Sequence, residues 1–262
     1  RFLEERLRAS VSERASSETQ EQAYLRLETV LNELTESDLS TSLTGFFSQI
    51  SEILNHPESV SGRHLAVSKG VDLATAVNRL SERVRELRLE LNDRVEDIAG
   101  RINALTERIA DLNVKIAEAE GGDVSESDAV GLRDRRLAAM EELAGLIDVK
   151  IREQPSGGVA IYTAGAYLVF EGTRRSVEAV WDTDRGLGVN RVQLADTHAT
   201  LDLTGGELHG LMAARDEILG GFLDRLDEFA GALAFEFNKV FSSGQGLSGF
   251  EQLTSESWVQ AN

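Results

Sequence analysis

Val95-Glu-Asp-Ile-Ala-Gly-Arg-Ile-Asn-Ala-Leu-Thr-Glu-Arg-Ile-Ala-Asp-Leu-Asn-Val-Lys-Ile-Ala-Glu-Ala119 is the stretch whose reading decides the fold. Val95, Ile102, Ile109 and Ile116 recur seven apart, at heptad position a. Ile98, Leu105, Leu112 and Ala119 follow them at position d. The residues between are mostly charged or amide-bearing. One narrow apolar seam on a long helix is the pattern of a coiled-coil-like surface. Upstream the seam continues through Val77, Leu80, Val84, Leu87 and Leu91. The steps Leu87 to Leu91 to Val95 are both four, a stutter that relaxes a left-handed supercoil. No Pro interrupts the run, and Gly100 falls on its polar side. A helix of about 40 residues spans roughly 60 Å, so an elongated molecule is expected. The seam suits a coiled coil between chains or a spine inside one chain.

The flanking segments favour the spine. Ser17-Glu-Thr-Gln20 has the form of a capping box, and Tyr24, Leu27, Leu31 and Leu34 follow it at helical spacing. Before it, Arg1 to Arg14, with Phe2, Leu3 and Leu7, reads as helix. Asp38 to Ser42 is a polar break. A second helix carries Leu43, Phe46, Phe47, Ile50 and Leu54, and Pro57 stops it. A third starts near Ser61 and runs into the seam, with a bend expected at Gly70. Gly121-Gly122 ends it, and Asp123 to Asp128 is a short acidic loop. Leu132, Leu137, Met140, Leu143 and Ile147 then predict a helix folding back along the seam.

Near Asp148 the apolar period changes from 3.6 to 2. Ile147 to Ile151, Val159 to Ile161, Tyr167 to Phe170, Ser176 to Trp181, Val192 to Leu194 and Leu201 to Leu203 read as about six short strands. Asp182 to Gly188 reads as a turn. At Gly205-Gly206 the helical period returns, with Met212, Leu219, Leu226 and Leu233 seven apart. The expected fold is α+β and mainly α: an elongated antiparallel helical bundle, or rod, with a small antiparallel β domain inserted. The expected domains are a discontinuous helical rod, 1–148 and 205–262, and an inserted β domain, 149–204. Residues after Phe241 are expected to be loop.

The 262 residues contain 27 Lys plus Arg against 45 Asp plus Glu, a formal charge of −18. Such a chain repels nucleic acid and anionic membrane surfaces, so neither is an expected partner. There is no cysteine, which removes disulfides, thiolate catalysis and Cys-based metal sites. No apolar run reaches the ~18 residues of a membrane span. No secretory signal is recognised, and the start at Arg1 reads as that of a fragment.

Searches for chemistry find little. Gly244-Gln-Gly246-Leu-Ser-Gly249 matches G-x-G-x-x-G, but a helix precedes it where a dinucleotide site needs a strand. Asp182-Thr-Asp184-Arg-Gly186 resembles the opening of a calcium loop, but Gln193 stands where the bidentate Glu belongs. His56, His64, His198 and His209 form no zinc spacing. No G-x-S-x-G elbow occurs. No catalytic, metal or cofactor site is expected, and the chain is read as a non-enzyme.

Arg101-Ile-Asn-Ala-Leu-Thr-Glu-Arg-Ile-Ala-Asp-Leu-Asn113-Val-Lys-Ile-Ala resembles the segment iN-x-L-x-x-x-I-A-x-L-N-x-x-I of the bacterial flagellar hook-associated protein 1 family, the FlgK type. Other stretches agree in order. Leu43-Thr-Gly-Phe46-Phe47 with Pro57 and Arg63 is similar to L-x-x-F-F…P…R. Leu132-Arg133-Asp134-Arg135-Arg136 is similar to L-x-D-x-R-D, with Arg136 in place of the final Asp. Gly206-Glu-Leu-His-Gly210-Leu-Met-Ala-Ala-Arg215-Asp216 is similar to G-x-L-x-G-L-x-x-x-R-D. The resemblance spans nearly the whole chain. It implies a structural, self-assembling protein of the bacterial flagellum, essential to motility, whose ring adapts hook to filament. The implied partners are further copies of itself, the flagellar hook protein, the second hook-associated protein and an export chaperone bound through a missing C-terminal region. The implied location is extracellular, on the flagellum, after type III export without a cleaved signal peptide. Terminal helices would be missing from this piece, which is then expected to be monomeric. The positions carrying the resemblance are Phe46, Phe47, Asn103, Asn113, Arg133, Asp134, Gly206, Gly210, Arg215 and Asp216. A second junction protein, flagellin or a generic coiled-coil scaffold would share the seam: Val84, Leu87, Leu91, Val95, Ile98, Ile102, Leu105, Ile109, Leu112 and Ile116.

Overall fold

A computed structural model describes residues 2–32, 39–121 and 126–243. Several expectations lie outside these residues: the polar break as far as Asp38, Gly122 as helix cap, the acidic loop from Asp123 to Ser125, and the Gly244 to Gly249 loop. Four helices come first: α1 (Phe2–Asn32), α2 (Leu39–Asn55), α3 (Val60–Gly121) and α4 (Glu126–Leu146). Six strands follow: β1 (Lys150–Glu153), β2 (Val159–Thr163), β3 (Ala166–Phe170), β4 (Thr173–Arg174), β5 (Val177–Asp184) and β6 (Leu187–Leu194). Then come α5 (Gly206–Ala213), a π-helical turn (Ala214–Leu219) and α6 (Gly220–Ser243). The class is α+β and mainly helical, with small antiparallel sheets between α4 and α5, as the change of period predicts.

Several boundaries differ from expectation. α1 does not begin at Ser17. Thr19 Oγ1 donates to the Ala15 carbonyl and Gln20 Nε2 to Ser16 Oγ, so the capping-box residues serve a continuous helix. The buried side of α1 is Ser12, Ser16, Thr19, Ala23, Leu27 and Val30, whereas Tyr24 and Leu31 are exposed. α3 starts with Ser59 Oγ accepting from the Gly62 amide, an N-cap bond at 3.1 Å. It runs 62 residues through Gly70 without a break, and the Phe46 ring occupies the space a side chain there would need. Ile147 follows the last residue of α4, its amide donating to the Leu143 carbonyl, and is not in a strand; β1 starts at Lys150. Asp182 to Asp184 and Leu187-Gly188 are strand. The turn is only Arg185-Gly186, both at positive φ (50° and 72°), the two-residue geometry that follows strand twist. Leu201 to Leu203 is not a strand, and only Thr200 bridges to Gln193. The expected single helix from Leu208 to Val240 is interrupted by the π turn, which shifts its later residues in phase.

The chain divides into two compact units. One contains Arg1–Leu27 with Glu86–Leu219, the other Glu28–Arg85 with Gly220–Asn262. The strands fall in the same unit as the second half of α3, α4 and α5. Residues 149–204, the expected β domain, all lie within this unit.

In the first unit the sheet is a meander, β1-β2-β3-β4, beside the hairpin β5-β6. α3 and α4 run antiparallel, as Arg101–Glu142, Asn113–Arg136 and Glu120–Arg133 contacts show. The core joins Ile102, Ile109 and Ile116 to Leu143, Ile147, Ile161, Leu168 and Leu208, all fully buried. α5 approaches α1 closely, because a Cβ on Gly210 would lie 2.7 Å from the Ser16 carbonyl oxygen. In the second unit Phe46 anchors α2. Its ring lies 5.5 Å from that of Phe237 on α6.

Gly206 opens α5 at φ 86°, where a Cβ would overlap the backbone of Leu146 and Ile147. Gly165 has φ 79° with open space around it. Gly165→Ala should therefore cost about 1 kcal/mol, the left-handed penalty alone. Gly206→Ala should cost clearly more, about 3 kcal/mol, because backbone must also move. Thermal unfolding of the two variants checks the order.

Candidate functional site

The seam lies inside the chain. Val84, Leu91, Val95, Ile98, Ile102, Leu105, Ile109, Leu112 and Ile116 are all buried. Leu87 is only half-buried. Its expected place is taken by Arg88, 1% exposed, which stands seven residues before Val95 and so continues position a. The buried face is also wider than the seam. Asn92, Ala99, Thr106 and Asn113, seven apart at position e, are buried beside it.

Asn92 and Asn113 of this row, with Asn103 at position b outside it, bond the backbone of the strands. Asn103 Nδ2 donates to the Val177 carbonyl (2.8 Å), and the Val177 amide donates to Asn103 Oδ1 (2.9 Å). Asn113 Nδ2 donates to the carbonyls of Val159 (2.9 Å) and Glu171 (2.7 Å), while the Val159 amide donates to Asn113 Oδ1 (3.0 Å). The Asn190 amide donates to Asn92 Oδ1 at 2.6 Å. A side-chain amide has the same donor and acceptor as a peptide group. Three asparagines on α3 thus extend the hydrogen bonding of β2, β5 and β6 onto a helix. Arg136 joins the second of these joints, donating to Asn113 Oδ1 (2.8 Å) and the Gly157 carbonyl (2.9 Å). Burial, with the charge of Arg133, pushes its guanidinium below its ordinary value.

The third joint is built on two buried arginines. Arg215 Nη1 donates to Asn92 Oδ1 (2.9 Å) and to the Asn190 carbonyl (2.8 Å), completing the pairing of Asn190. Its other nitrogens hold the Asp216 carboxylate in two bonds of 2.8 Å. Arg88 Nε donates to the Arg215 carbonyl (2.9 Å), and its Nη2 pairs with Asp184 and, at 3.6 Å, with Asp216. The Arg215 carbonyl lies within the π turn, so Arg88 supplies a donor where the helical ladder is irregular. Burial is the largest influence on Asp184 and works against its charge. Hydrogen bonds from Arg185 and Arg88, with their charges, outweigh it and hold the carboxyl below the usual carboxylate range.

The remaining motif positions separate into packing and surface. Phe46 is buried and Phe47 exposed. Gly206 and Gly210 are buried at the start of α5. Arg133 is exposed and pairs with Glu120; Asp134 is exposed. Arg88, Asn92 and Asn190 are not signalled by any motif, although Arg88 stands seven residues before Val95; Arg136 and Asp184 occur in motifs that give no hint of these contacts. Leu137, expected inside, is exposed, and Arg136 beside it is buried.

Chemistry remains sparse. His209 Nδ1 lies 2.8 Å from Ser16 Oγ, but Ser16 is buried and also bonded by Gln20, which suits packing. Among the described residues no three His, Asp or Glu side chains gather in a metal-holding geometry. A shallow cavity of about 290 Å³ between α1 and α4 is lined by Leu7, Val11 and Leu137, with Glu4, Arg8 and Glu141 around it. It contains no convergent polar set. The unit's specific groups all face one another and serve its own architecture.

Asn113→Ala should lose about 3 kcal/mol, since it orphans the Val159 amide and two carbonyls in a buried place. Asn103→Ala, partly exposed, should lose less; urea denaturation compares them. Asp184 has a lowered folded-state pKa, so its contribution to stability is present above the unfolded value of about 4 and lost as pH falls through the folded value. Asp184→Asn should be less stable than the native chain at neutral pH, with the difference shrinking below about pH 4, as unfolding at several pH values would show.

Comparison with known proteins bears on the fold and the family. A solved structure, the flagellar hook junction protein FlgK from Burkholderia pseudomallei, matches with a TM-score of 0.65 at 24% identity, over 81% of this chain and 39% of that one. That likeness establishes a shared fold. Flagellar hook-associated protein 1 of Bacillus subtilis is 26% identical over 280 residues, covering 95% of this chain and 54% of that protein. Its counterpart in Salmonella typhimurium is 22% identical over 256 residues, covering 95% and 46%. The chain spans about half the length of these curated relatives. The family model described as the flagellar hook-associated protein FlgK helical domain matches residues 24–254. With the model extending across both compact units, the chain belongs to the FlgK helical-domain family.

Proposed function

We propose that this chain is the helical part of a hook-associated protein that forms the junction between flagellar hook and filament. The observation that carries the reading is the family match over residues 24–254, together with curated relatives named flagellar hook-associated protein 1. The role is structural and involves no catalysis. Copies form a ring, with the hook protein on one side and the second hook-associated protein on the other. The protein acts outside the cell, on the flagellum, and an export chaperone is among its partners. In chain order the β segment, 149–204, is an insertion between the helical stretches 1–148 and 205–262.

The physical support is internal bracing. A junction must transmit torque without its subunits slipping in register. Ile102, Ile109 and Ile116 are fully buried within the chain, so the seam stabilises one subunit and leaves no reason to invoke a coiled-coil scaffold. The asparagine joints add directional bonds that resist sliding of strands along α3.

Deletion of the gene in its source bacterium tests the role. The expected outcome is hooks without filaments and filament protein shed into the medium, restored by a plasmid copy. Normally filamented, swimming cells would overturn it.

A further inference from the structure

The helical hairpin of α2 and α3 carries two outward faces that its own unit leaves uncovered. On α3, Val60, Val67 and Val71 are 61%, 69% and 60% exposed. With His64, Ala74 and Asn78, also exposed, they recur at alternating steps of four and three. A single exposed valine needs no explanation. A stripe of Val60, Val67 and Ala74 seven apart, with Val71 between the last two, does, because apolar residues so spaced on one side of a helix can pack against another helix. On α2 the exposed residues Ser40, Thr44, Phe47, Ser51 and Leu54 repeat the same steps, with Phe47 and Leu54 as the large side chains.

Where the two faces lie follows from the contacts inside the hairpin. Gln49 Nε2 donates to the Gly62 carbonyl at 3.3 Å, which marks the side on which the helices meet. At 3.6 residues per turn, Phe47, Ser51 and Leu54 are roughly half a turn round α2 from Gln49. Val60, Val67 and Val71 are likewise roughly half a turn round α3 from Gly62. Each face is therefore on the far side of its helix from that contact.

Charge favours one occupant, a second copy of this chain. Of the 45 acidic residues in the chain, residues 39–78 contain three: Glu52, Glu58 and Asp72. None is on either face, and Asp72 pairs with Lys69 on another side of α3. Two copies of a chain with a formal charge of −18 repel each other over most of their surfaces. A contact between copies needs faces without carboxylates, and these two qualify. A basic partner would instead be met by acidic residues here.

We propose that the α3 face of one copy packs on the α2 face of the next. The proposal rests on the junction reading and adds to it the surface through which neighbouring copies touch. Unlike faces are required, because a ring of equivalent subunits is closed by heterologous contacts. α2 and α3 are antiparallel within a copy, so α2 of one copy runs antiparallel to α3 of its neighbour when both copies point the same way. The faces are narrow, so one contact is weak and counts mainly when many copies are held together.

The test uses cysteines, of which this chain has none. Ser51→Cys and Val67→Cys are placed together and singly in the gene of the source bacterium, and intact cells are treated with a bismaleimide. Both sites are exposed, so folding should be unaffected. Only a heterologous contact between the two sites links copies into a ladder of dimers, trimers and higher species. The expected result is that ladder with the double variant, at least tenfold weaker with either single variant, and abolished by adding Val71→Glu. A ladder no stronger than that of the single variants overturns the proposal. So do dimers from Val67→Cys alone as the main product, and adducts only to another protein. The ladder is read in every cell fraction. If it is absent while the protein is found in flagella and the cells swim, the contact falls and the junction role stands. If it is present while the protein is absent from flagella, the contact stands and the junction role falls.

Discussion

An edge strand or a strand end leaves peptide groups without partners, and a buried peptide group without one costs about 1–3 kcal/mol. In this chain the obligation is met by the asparagine amides of α3. Asn92, Asn103 and Asn113 bond the backbone of Asn190, Val177 and Val159, and so bind two separate sheets to one helix. The remaining architecture of the first unit is arranged around those bonds. Arg215 reaches over from the π turn to finish the pairing of Asn190, and Arg136 reaches from α4 to share Asn113. Arg88 then supports the carbonyl of Arg215.

Apolar burial and polar joints divide the work by magnitude. Each fully buried seam isoleucine contributes about 2 kcal/mol by leaving water, whereas one amide bond nets only about 1 kcal/mol. Burial therefore holds the helices and strands together. It is non-directional, and a seam of similar aliphatic side chains tolerates a shift of one turn. The asparagines do not tolerate it, because each meets one particular amide. Stability comes from the seam and register from the joints.

The second unit shows the complementary situation. Phe46 is buried, but the outer faces of α2 and α3 leave Leu54, Val60, Val67 and Val71 in water. These residues are the basis of the proposed contact between copies, and carboxylates are scarce around them.

How much was legible in the sequence depended on the kind of residue. The long helix, its seam, the switch to strands and the return to helix followed from apolar periodicity, which records the face that must leave water. The family resemblance followed from ordered short motifs, with Asn103 and Asn113 among them. Periodicity does not name what covers a face, and it treats buried polar groups as surface. Arg88 was therefore passed over for Leu87, Arg136 for Leu137, and Ser12, Ser16 and Thr19 for Tyr24 and Leu31. The Ala214–Leu219 π turn was hidden for a related reason. Its sequence continues a helical pattern, and Arg215 takes up its place there only once Asn92, Asn190 and Asp216 surround it. By itself, then, the sequence determined the order of the long helices and the place of the strands between them, because those are local consequences of spacing. Tertiary structure alone decided which polar side chains are buried and what they bind, because their partners lie about 25 to 130 residues away and only folding brings them within hydrogen-bond distance.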